Sequence, residues 1–278
     1  MSSSSIISEP PRVLFIDVFG TVVNWRLTVT QTLQKRASEV LQSSTAQLSP
    51  TLRKRASTTD WAAFTQKWRE AYYHFCVTYD PAKVNGSPGG YKTIDQHHRE
   101  SLSDNLETFN LTGLWSKEEL DELAMVWHYL APWPDSPRGL ELLTQKFITS
   151  SLSNGNVSLL QDLATTGNLL FTHILSSEMF KAYKPNPLVY NGAAQRLGVP
   201  ANQCALVAAH LADLEGARQC QFRTIYIDRE NEEGWSAEDK EKARDWVDLW
   251  VDGCLQNEED GFVELARLLG IMIHQSER

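Results

Sequence analysis

The sequence has few cysteines, and no two of them are close together. Its 278 residues include four cysteines without a Cys-x-x-Cys pair. Paired cysteines at short spacing are typical of zinc sites and redox motifs, and closely spaced even sets are typical of disulfide frameworks. We therefore expect reduced thiols and neither of these features. The four are Cys76, Cys204, Cys220 and Cys254.

The chain also lacks a long apolar stretch. No run approaches the roughly 18 apolar residues that a membrane-spanning helix needs. Residues 1–11 contain four consecutive serines but neither a basic n-region nor an apolar h-region, so they predict a disordered lead and no signal peptide. Together these patterns predict a cytoplasmic protein without a membrane partner.

Positive charge is in deficit as well. Lysine and arginine number 26 against 35 aspartates and glutamates, a net charge of −9. Nucleic acids are bound through clustered basic residues, so this balance argues against a nucleic-acid partner. A small anionic substrate would need locally placed Arg, Lys or backbone N–H groups.

What is present predicts an α/β fold. Short apolar runs over 13–16, 147–152, 171–175, 204–208 and 224–227 predict strands, and helical patterns separate most of them. Such alternation is typical of a doubly wound parallel sheet.

The stretch 25–130 differs because its polar and apolar residues follow helical spacing, as in 65–79 and 117–129. We predict a helical cap there, inserted into a core formed by 12–24 and 131–278. The charged stretch 230–250 carries three tryptophans, and we expect it to form a surface excursion before a last helix.

Several polar residues follow predicted strands. Asp17 follows the first, Ser153 the second, and the turn 208–213 the fourth, while Lys184 precedes a helix. Ligands of doubly wound sheets bind at the carboxyl ends of the strands. These residues are therefore expected to converge at one edge of the sheet.

The same residues carry a resemblance to the haloacid dehalogenase superfamily, and to its 2-haloacid dehalogenases in particular. Asp17 with Gly20-Thr21 resembles the first motif, and the other motifs follow in order along residues 12–228. Any one of them is weak, but five in order are specific. The remaining four are Trp68-Arg69 in the cap, Ser153-Asn154-Gly155, Lys184-Pro185, and Asp213 with Gly216-Ala217-Arg218.

Two positions indicate the branch of the superfamily. Its phosphatases carry a second aspartate two residues after the nucleophile, where this chain has Phe19, and a metal-binding aspartate where it has Ala209. Mg²⁺ requires oxygen ligands that these side chains lack. The resemblance therefore implies a metal-independent enzyme without a cofactor, and favours it over the alternative of a metal-dependent phosphatase.

The resemblance also implies a mechanism. Asp17 attacks the halogen-bearing carbon of a small carboxylate and forms an ester, and water then hydrolyses this ester. Arg69, helped by Asn154, stabilises the leaving halide, and Lys184 lowers the pKa of Asp17. Asp213 and His210 are the residues assigned to the water step. Further substrate-binding residues implied are Val18, Phe19, Thr21, Ser153 and Tyr190.

The turn after the fourth strand departs from the family pattern. Ala208 stands at the usual serine, His210 at the usual asparagine and Ala212 at an aromatic position. Histidine can serve as a base near neutral pH, so His210 and Asp213 are a hypothetical water-activating pair. The substitution by alanine at 212 predicts a wider pocket.

Other interpretations remain open from the sequence. The same attack opens an epoxide next to a carboxylate, and a catalytically weak relative would only bind a carboxylate or a partner protein. Taken singly, Asp17 and Asp213 also fit helix N-caps, and Arg69 and Lys184 fit exposed charges. A homodimer is an expectation from the relatives alone.

Overall fold

The computed structural model describes residues 10–80, 90–251 and 259–272. Most of the predicted disordered lead, and Cys254, lie outside the described residues. The chain divides into two compact units. A core unit joins the segment up to Asn24 to the chain from Pro132 onward, and a helical unit runs from Trp25 to Ala131.

A parallel six-stranded sheet forms the centre of the core unit, in the strand order β3-β2-β1-β4-β5-β6. Helices flank it, so the predicted α/β doubly wound fold is confirmed. The strands are β1 (Val13–Ile16), β2 (Ile148–Ser153), β3 (His173–Ser176), β4 (Cys204–Ala208), β5 (Arg223–Ile227) and β6 (Leu249–Val251).

Burial of apolar side chains explains the central position of β1. All four of its side chains are buried, as expected of a parallel strand covered on both faces. It pairs with β2 on one side and β4 on the other, with Ile16 beside Val207. The strand order reverses between β1 and β4, which opens a crevice at their carboxyl ends. Asp17 and the turn after Ala208 flank that crevice.

The α-helices of the core unit lie between these strands or, for the last helix, after them. Among them, α8 (Pro187–Leu197) begins with Pro187 in its first turn and is capped by Gly198, whose φ of +64° suits a glycine. Their bounds are Ser136–Thr144, Val157–Thr166, Pro187–Leu197, Leu211–Gln219, Ala237–Ala243 and Gly261–Leu268, numbered α6 to α11.

The prediction of a surface excursion over residues 230–250 was only partly right, because most of the stretch is exposed but its end joins the sheet. This stretch contains α10 and leads into β6, the edge strand of the sheet. Trp250 lies in β6 and contacts Tyr226 at 4.4 Å between ring centroids. Trp235 and Trp246 are partly buried against the same hydrophobic cluster. The three tryptophans therefore pack against the core of the unit, although charged residues surround them in the sequence.

The helical unit consists of α1 to α5 and a 3-10 turn over Met125–His128. The helices are α1 (Trp25–Gln42), α2 (Pro50–Ser57), α3 (Trp61–Thr78), α4 (Ile94–Thr108) and α5 (Lys117–Ala124). Asp60 caps α3 by accepting from two backbone N–H groups, and capping boxes begin α4 at Thr93 and α5 at Ser116. No helix in the described ranges is long and apolar enough to cross a membrane.

A buried ion pair ties the segment before α6 to the loop after β5. Both side chains of the Arg229–Asp135 pair are fully buried, with Nη1–Oδ1 at 2.7 Å and Nη2–Oδ2 at 3.0 Å. Arg229 Nε also donates to the carbonyl oxygen of Thr21 at 2.9 Å. The ion pair therefore anchors the loop after β1 through the carbonyl of Thr21.

We expect Arg229→Met to lower the free energy of unfolding by about 3–5 kcal/mol, because it leaves the Asp135 carboxylate buried without a counterion, although the Phe262 N–H still donates to it. Urea unfolding at neutral pH measures the loss. The double variant Arg229→Met/Asp135→Leu should recover part of it, since no unpaired charge remains. A loss below about 1 kcal/mol in the single variant contradicts this role.

Candidate active site

Asp17 begins the loop that follows β1. Its backbone N–H donates to Val207 O at 2.9 Å, which continues the pairing of β1 with β4 by one residue. Its side chain is only 9% exposed. The sheet therefore presents a carboxylate at the crevice, in a place where an isolated charge would be costly.

Lys184 compensates that charge. Its Nζ lies 2.8 Å from Asp17 Oδ1 and also donates to Asp213 Oδ2. The lysine itself is buried, so one ammonium group is shared by two carboxylates. Asn154 holds the lysine loop, because its Oδ1 accepts from the backbone N–H of Lys184 at 2.8 Å and from Ser177 Oγ at 2.7 Å.

Thr21 binds the other oxygen of the nucleophile candidate. Its hydroxyl donates to Asp17 Oδ2 at 2.7 Å and accepts from the backbone N–H of Ala209 at 2.9 Å. The hydroxyl thus links the loop after β1 to the turn after β4. The hydroxyl of Thr21 therefore donates its hydrogen to Asp17 and accepts one hydrogen bond from the backbone.

Asp213, in the first turn of α9, is engaged through both carboxylate oxygens. Lys184 donates to Oδ2, and Tyr190 Oη donates to Oδ1 at 2.7 Å. Three residues that the sequence assigned to the site therefore meet in one chain of hydrogen bonds.

His210 adds a second cation to the cluster. Its Nδ1 lies 3.3 Å from Asp17 Oδ2, and its Nε2 lies 3.4 Å from Glu232 Oε2. The sequence-based hypothesis paired His210 with Asp213, but in the structure the second partner of the ring is Glu232. Glu232 is nearly fully buried. It was missed because it falls in the charged stretch taken for a surface excursion.

Gly20 makes room for this pair. Its φ is +83°, and a Cβ added there would lie 2.1 Å from Glu232 Oε2 and 3.1 Å from His210 Cε1. Any larger residue would therefore be strained and would displace the carboxylate. The loop after β1 is shaped around both Asp17 and the Glu232–His210 pair.

The contacts shift the pKa values of the cluster in different directions. Burial raises the pKa of Asp17, but the charge of Lys184 and the hydrogen bond from His210 hold it well below its ordinary range. Burial lowers the pKa of Lys184, and the two carboxylates more than restore it. Burial raises the pKa of Asp213, and the negative charge of Asp17 raises it further. At neutral pH Asp17 is ionised.

His210 has a pKa raised to about 9. Burial alone would lower it, but hydrogen bonds with Asp17 and Glu232 favour the imidazolium form. In the resting protein the ring is therefore charged near neutral pH and adds a second positive group beside Asp17.

Three further residues assigned from the sequence lie at the carboxyl ends of β1 and β2. Val18, Phe19 and Ser153 are buried in the core unit. Ser153 Oγ accepts from the backbone N–H of Gly155 at 3.3 Å, and Phe19 Cζ would contact a Cβ at Gly155 at 3.3 Å. Phe19 therefore faces the turn after β2.

Arg69 lies on α3, in the helical unit. Its guanidinium carbon is 4.5 Å from the centroid of the Tyr72 ring and 5.4 Å from that of Trp25. Trp68 beside it is fully buried and donates to His98 O at 3.2 Å. The aromatic rings hold the guanidinium in a fixed orientation within this unit.

Metal-ligating side chains do not cluster in the described part of the chain. No group of three or more His, Cys, Asp or Glu residues there is arranged to hold a metal ion. Lys184 Nζ instead lies between the carboxylates of Asp17 and Asp213.

Comparison with known proteins supports the motif-based resemblance. The family model of haloacid dehalogenase-like hydrolases matches residues 11–221. The (S)-2-haloacid dehalogenase 4A of Burkholderia cepacia is 34% identical over 134 residues, 47% of this chain and 57% of that protein. The (S)-2-haloacid dehalogenase 1 of Pseudomonas sp. strain CBS-3 is 34% identical over 147 residues, 51% of this chain and 63% of its own length. The chain thus spans less than two thirds of both relatives.

Solved structures match over more of their length. The defluorinating L-2-haloacid dehalogenase Rha0230 has a TM-score of 0.73 and 30% identity, covering 93% of this chain and 95% of its own. The L-2-haloacid dehalogenase PA0810 has a TM-score of 0.73 and 28% identity, covering 94% of this chain and 100% of its own. The predictions of the superfamily and of a hydrolase are confirmed.

The raised pKa of His210 predicts a pH-dependent stability. Its contribution is fully present below the unfolded pKa of about 6.5 and is lost as pH rises through about 9. The wild-type protein should lose up to about 3 kcal/mol of unfolding free energy across that window from this group. His210→Gln, which cannot titrate, should lose much less.

Urea unfolding at a series of pH values between 6 and 10 measures both slopes. His173→Asn is the control, because His173 is exposed at the start of β3 and should leave the wild-type slope unchanged. Equal slopes for wild type and His210→Gln would show that the His210 contacts do not persist in solution.

Proposed function

Since the chain belongs to the haloacid dehalogenase-like hydrolases, we propose that it hydrolyses the carbon–halogen bond of a small 2-haloalkanoic acid through an ester on Asp17. The named activity of the relatives supports the reaction class. The observation that carries the proposal is the buried Asp17 carboxylate, held ionised by Lys184.

The first half-reaction needs a charged nucleophile with little water around it. Asp17 is buried, and its two oxygens have fixed hydrogen-bond donors in Lys184 and Thr21. A carboxylate oriented in this way attacks C2 of the substrate, and the halide departs with the bonding electron pair.

The departing halide needs a positive group, and the resemblance assigns this role to Arg69 with help from Asn154. Asn154 uses its amide oxygen on Lys184 and Ser177, and its Nδ2 lies 3.4 Å from Lys184 O. We therefore assign Asn154 chiefly to positioning the lysine loop, and Arg69 to the halide.

The side chains at the two branch-determining positions favour dehalogenation over phosphoryl transfer. Phe19 and Ala209 carry no oxygen with which to shuttle a proton or bind Mg²⁺. We propose metal-independent turnover. The natural substrate is a small carboxylate with a leaving group at C2, and a homodimer remains a prediction.

We expect the protein to release halide from one enantiomer of 2-chloropropionate or 2-bromopropionate in buffer containing EDTA. Asp17→Asn should reduce release to background, because its amide is a poor nucleophile. Halide measured over time, with the hydroxy acid as the second product, checks both statements.

Asp245→Asn is the control, since it removes an exposed carboxylate in the core unit and should keep wild-type turnover. Halide release by Asp17→Asn at the wild-type rate contradicts the nucleophile assignment. Absence of halide from both enantiomers, with turnover of an epoxide next to a carboxylate, would reassign the leaving group.

A further inference from the structure

The second half-reaction needs a base that activates water beside the Asp17 ester. Asp213 is separated from Asp17 by the Lys184 ammonium, and Lys184 and Tyr190 each donate to one of its two oxygens. Ala208 and Ala209 offer no side-chain acceptor. Among the residues in contact with Asp17, His210 carries a ring nitrogen that can accept a proton.

Glu232 determines which ring nitrogen this is. In the neutral ring one nitrogen carries a hydrogen and the other a lone pair. Once Asp17 is a neutral ester, Glu232 is the charged carboxylate in contact with the ring, so Nε2, which lies 3.4 Å from it, is the nitrogen that keeps a hydrogen and donates it. The lone pair then falls on Nδ1, which lies 3.3 Å from Asp17 Oδ2. A second-sphere carboxylate commonly fixes a histidine tautomer in this way.

The site is built around this pair. Glu232 is buried, and the space above Gly20 is occupied by its carboxylate and by the His210 ring. A buried carboxylate needs a nearby cation or hydrogen-bond donor, and the His210 ring lies within 3.4 Å of it. The contact between Glu232 and His210 is therefore part of the packed site and not a contact between two exposed side chains.

We propose that Glu232 is a positioning residue that orients His210, so that Nδ1 accepts the proton of the water that hydrolyses the Asp17 ester. This inference rests on the proposed function. It assigns the water step to a Glu–His pair contributed by the loop after β5 and the turn after β4.

Formation of the ester changes the charges around His210. When the Asp17–C2 bond forms, halide leaves and the Asp17 carboxylate becomes a neutral ester. Of the two carboxylates in contact with His210, only Glu232 is then charged, so the ring releases its Nδ1 proton to solvent. The other charged groups beside the pair are Lys184, bound to Asp17 and Asp213, Glu233, bound to the Leu211 N–H, and Arg229, whose charge interacts with Glu232.

The neutral ring next takes a proton from water as the water oxygen bonds to the Asp17 carboxyl carbon. The tetrahedral intermediate collapses with cleavage of the bond between that carbon and the ester oxygen. The new carboxyl group gives its proton to the departing alkoxide, and Asp17 is again a carboxylate beside an imidazolium. The net products are the hydroxy acid, halide and one proton.

Rapid-quench kinetics separate the two half-reactions. With the enantiomer of 2-bromopropionate that releases halide, we expect Glu232→Gln to keep the first-turnover halide burst within about threefold. Release of the hydroxy acid should slow about 100-fold, in the range of general-base catalysis. Intact mass should show an adduct that accumulates on Asp17.

The pH profile distinguishes positioning from a purely structural role. The acid limb of hydroxy-acid release should move to lower pH in Glu232→Gln, because a neutral partner no longer favours the imidazolium. His210→Gln should accumulate the same adduct without that limb. Glu230→Gln, two residues away and exposed, should match the wild type in both half-reactions.

If Glu232→Gln does not fold, as judged by circular dichroism, the two half-reactions are compared in Glu232→Asp and His210→Gln instead. Hydroxy-acid release at the wild-type rate, or equal slowing of both half-reactions without a pH shift, overturns the role of Glu232. Absence of a halide burst from the wild type contradicts the proposed function itself.

Discussion

The contact between the Lys184 ammonium and the Asp17 carboxylate is the interaction on which the site depends. A carboxylate at the end of a buried strand would be neutral without a nearby cation, and a neutral acid is not a nucleophile. Lys184 Nζ lies 2.8 Å from Asp17 Oδ1 and keeps the pKa of that carboxyl low despite burial. The surrounding contacts hold these two groups at that distance.

The loops after β2 and β5, together with α8 and α9, provide these supporting contacts. Asn154, after β2, fixes the backbone of Lys184, while Tyr190 and Lys184 together fix Asp213. Arg229 binds the carbonyl of Thr21, whose hydroxyl in turn holds Asp17. The nucleophile is thus fixed from both sides of the crevice, and catalysis by positioning requires such rigid support.

The sequence predicted the part of this structure that follows from local pattern. β1, β4 and the placement of Asp17 at a strand end came from short apolar runs, and motif order assigned Lys184 and Asp213. The sixth strand was missed, because three residues, Leu249–Val251, within a charged stretch carry no clear period. Glu232 was missed for a similar reason, since only the folded chain brings it within 3.4 Å of His210. The buried Arg229–Asp135 pair likewise joins residues 94 positions apart.

Transfer of an oxygen atom from Asp17 to the product is the most direct test of the covalent mechanism. We would run less than one turnover in H₂¹⁸O and analyse both the hydroxy acid and the peptide that contains Asp17. If water attacks the carboxyl carbon of an Asp17 ester, the label enters Asp17 and the first product carries unlabelled oxygen at C2. Label in the product hydroxyl with none in Asp17 would mean that water attacks the substrate directly, and would contradict the covalent mechanism.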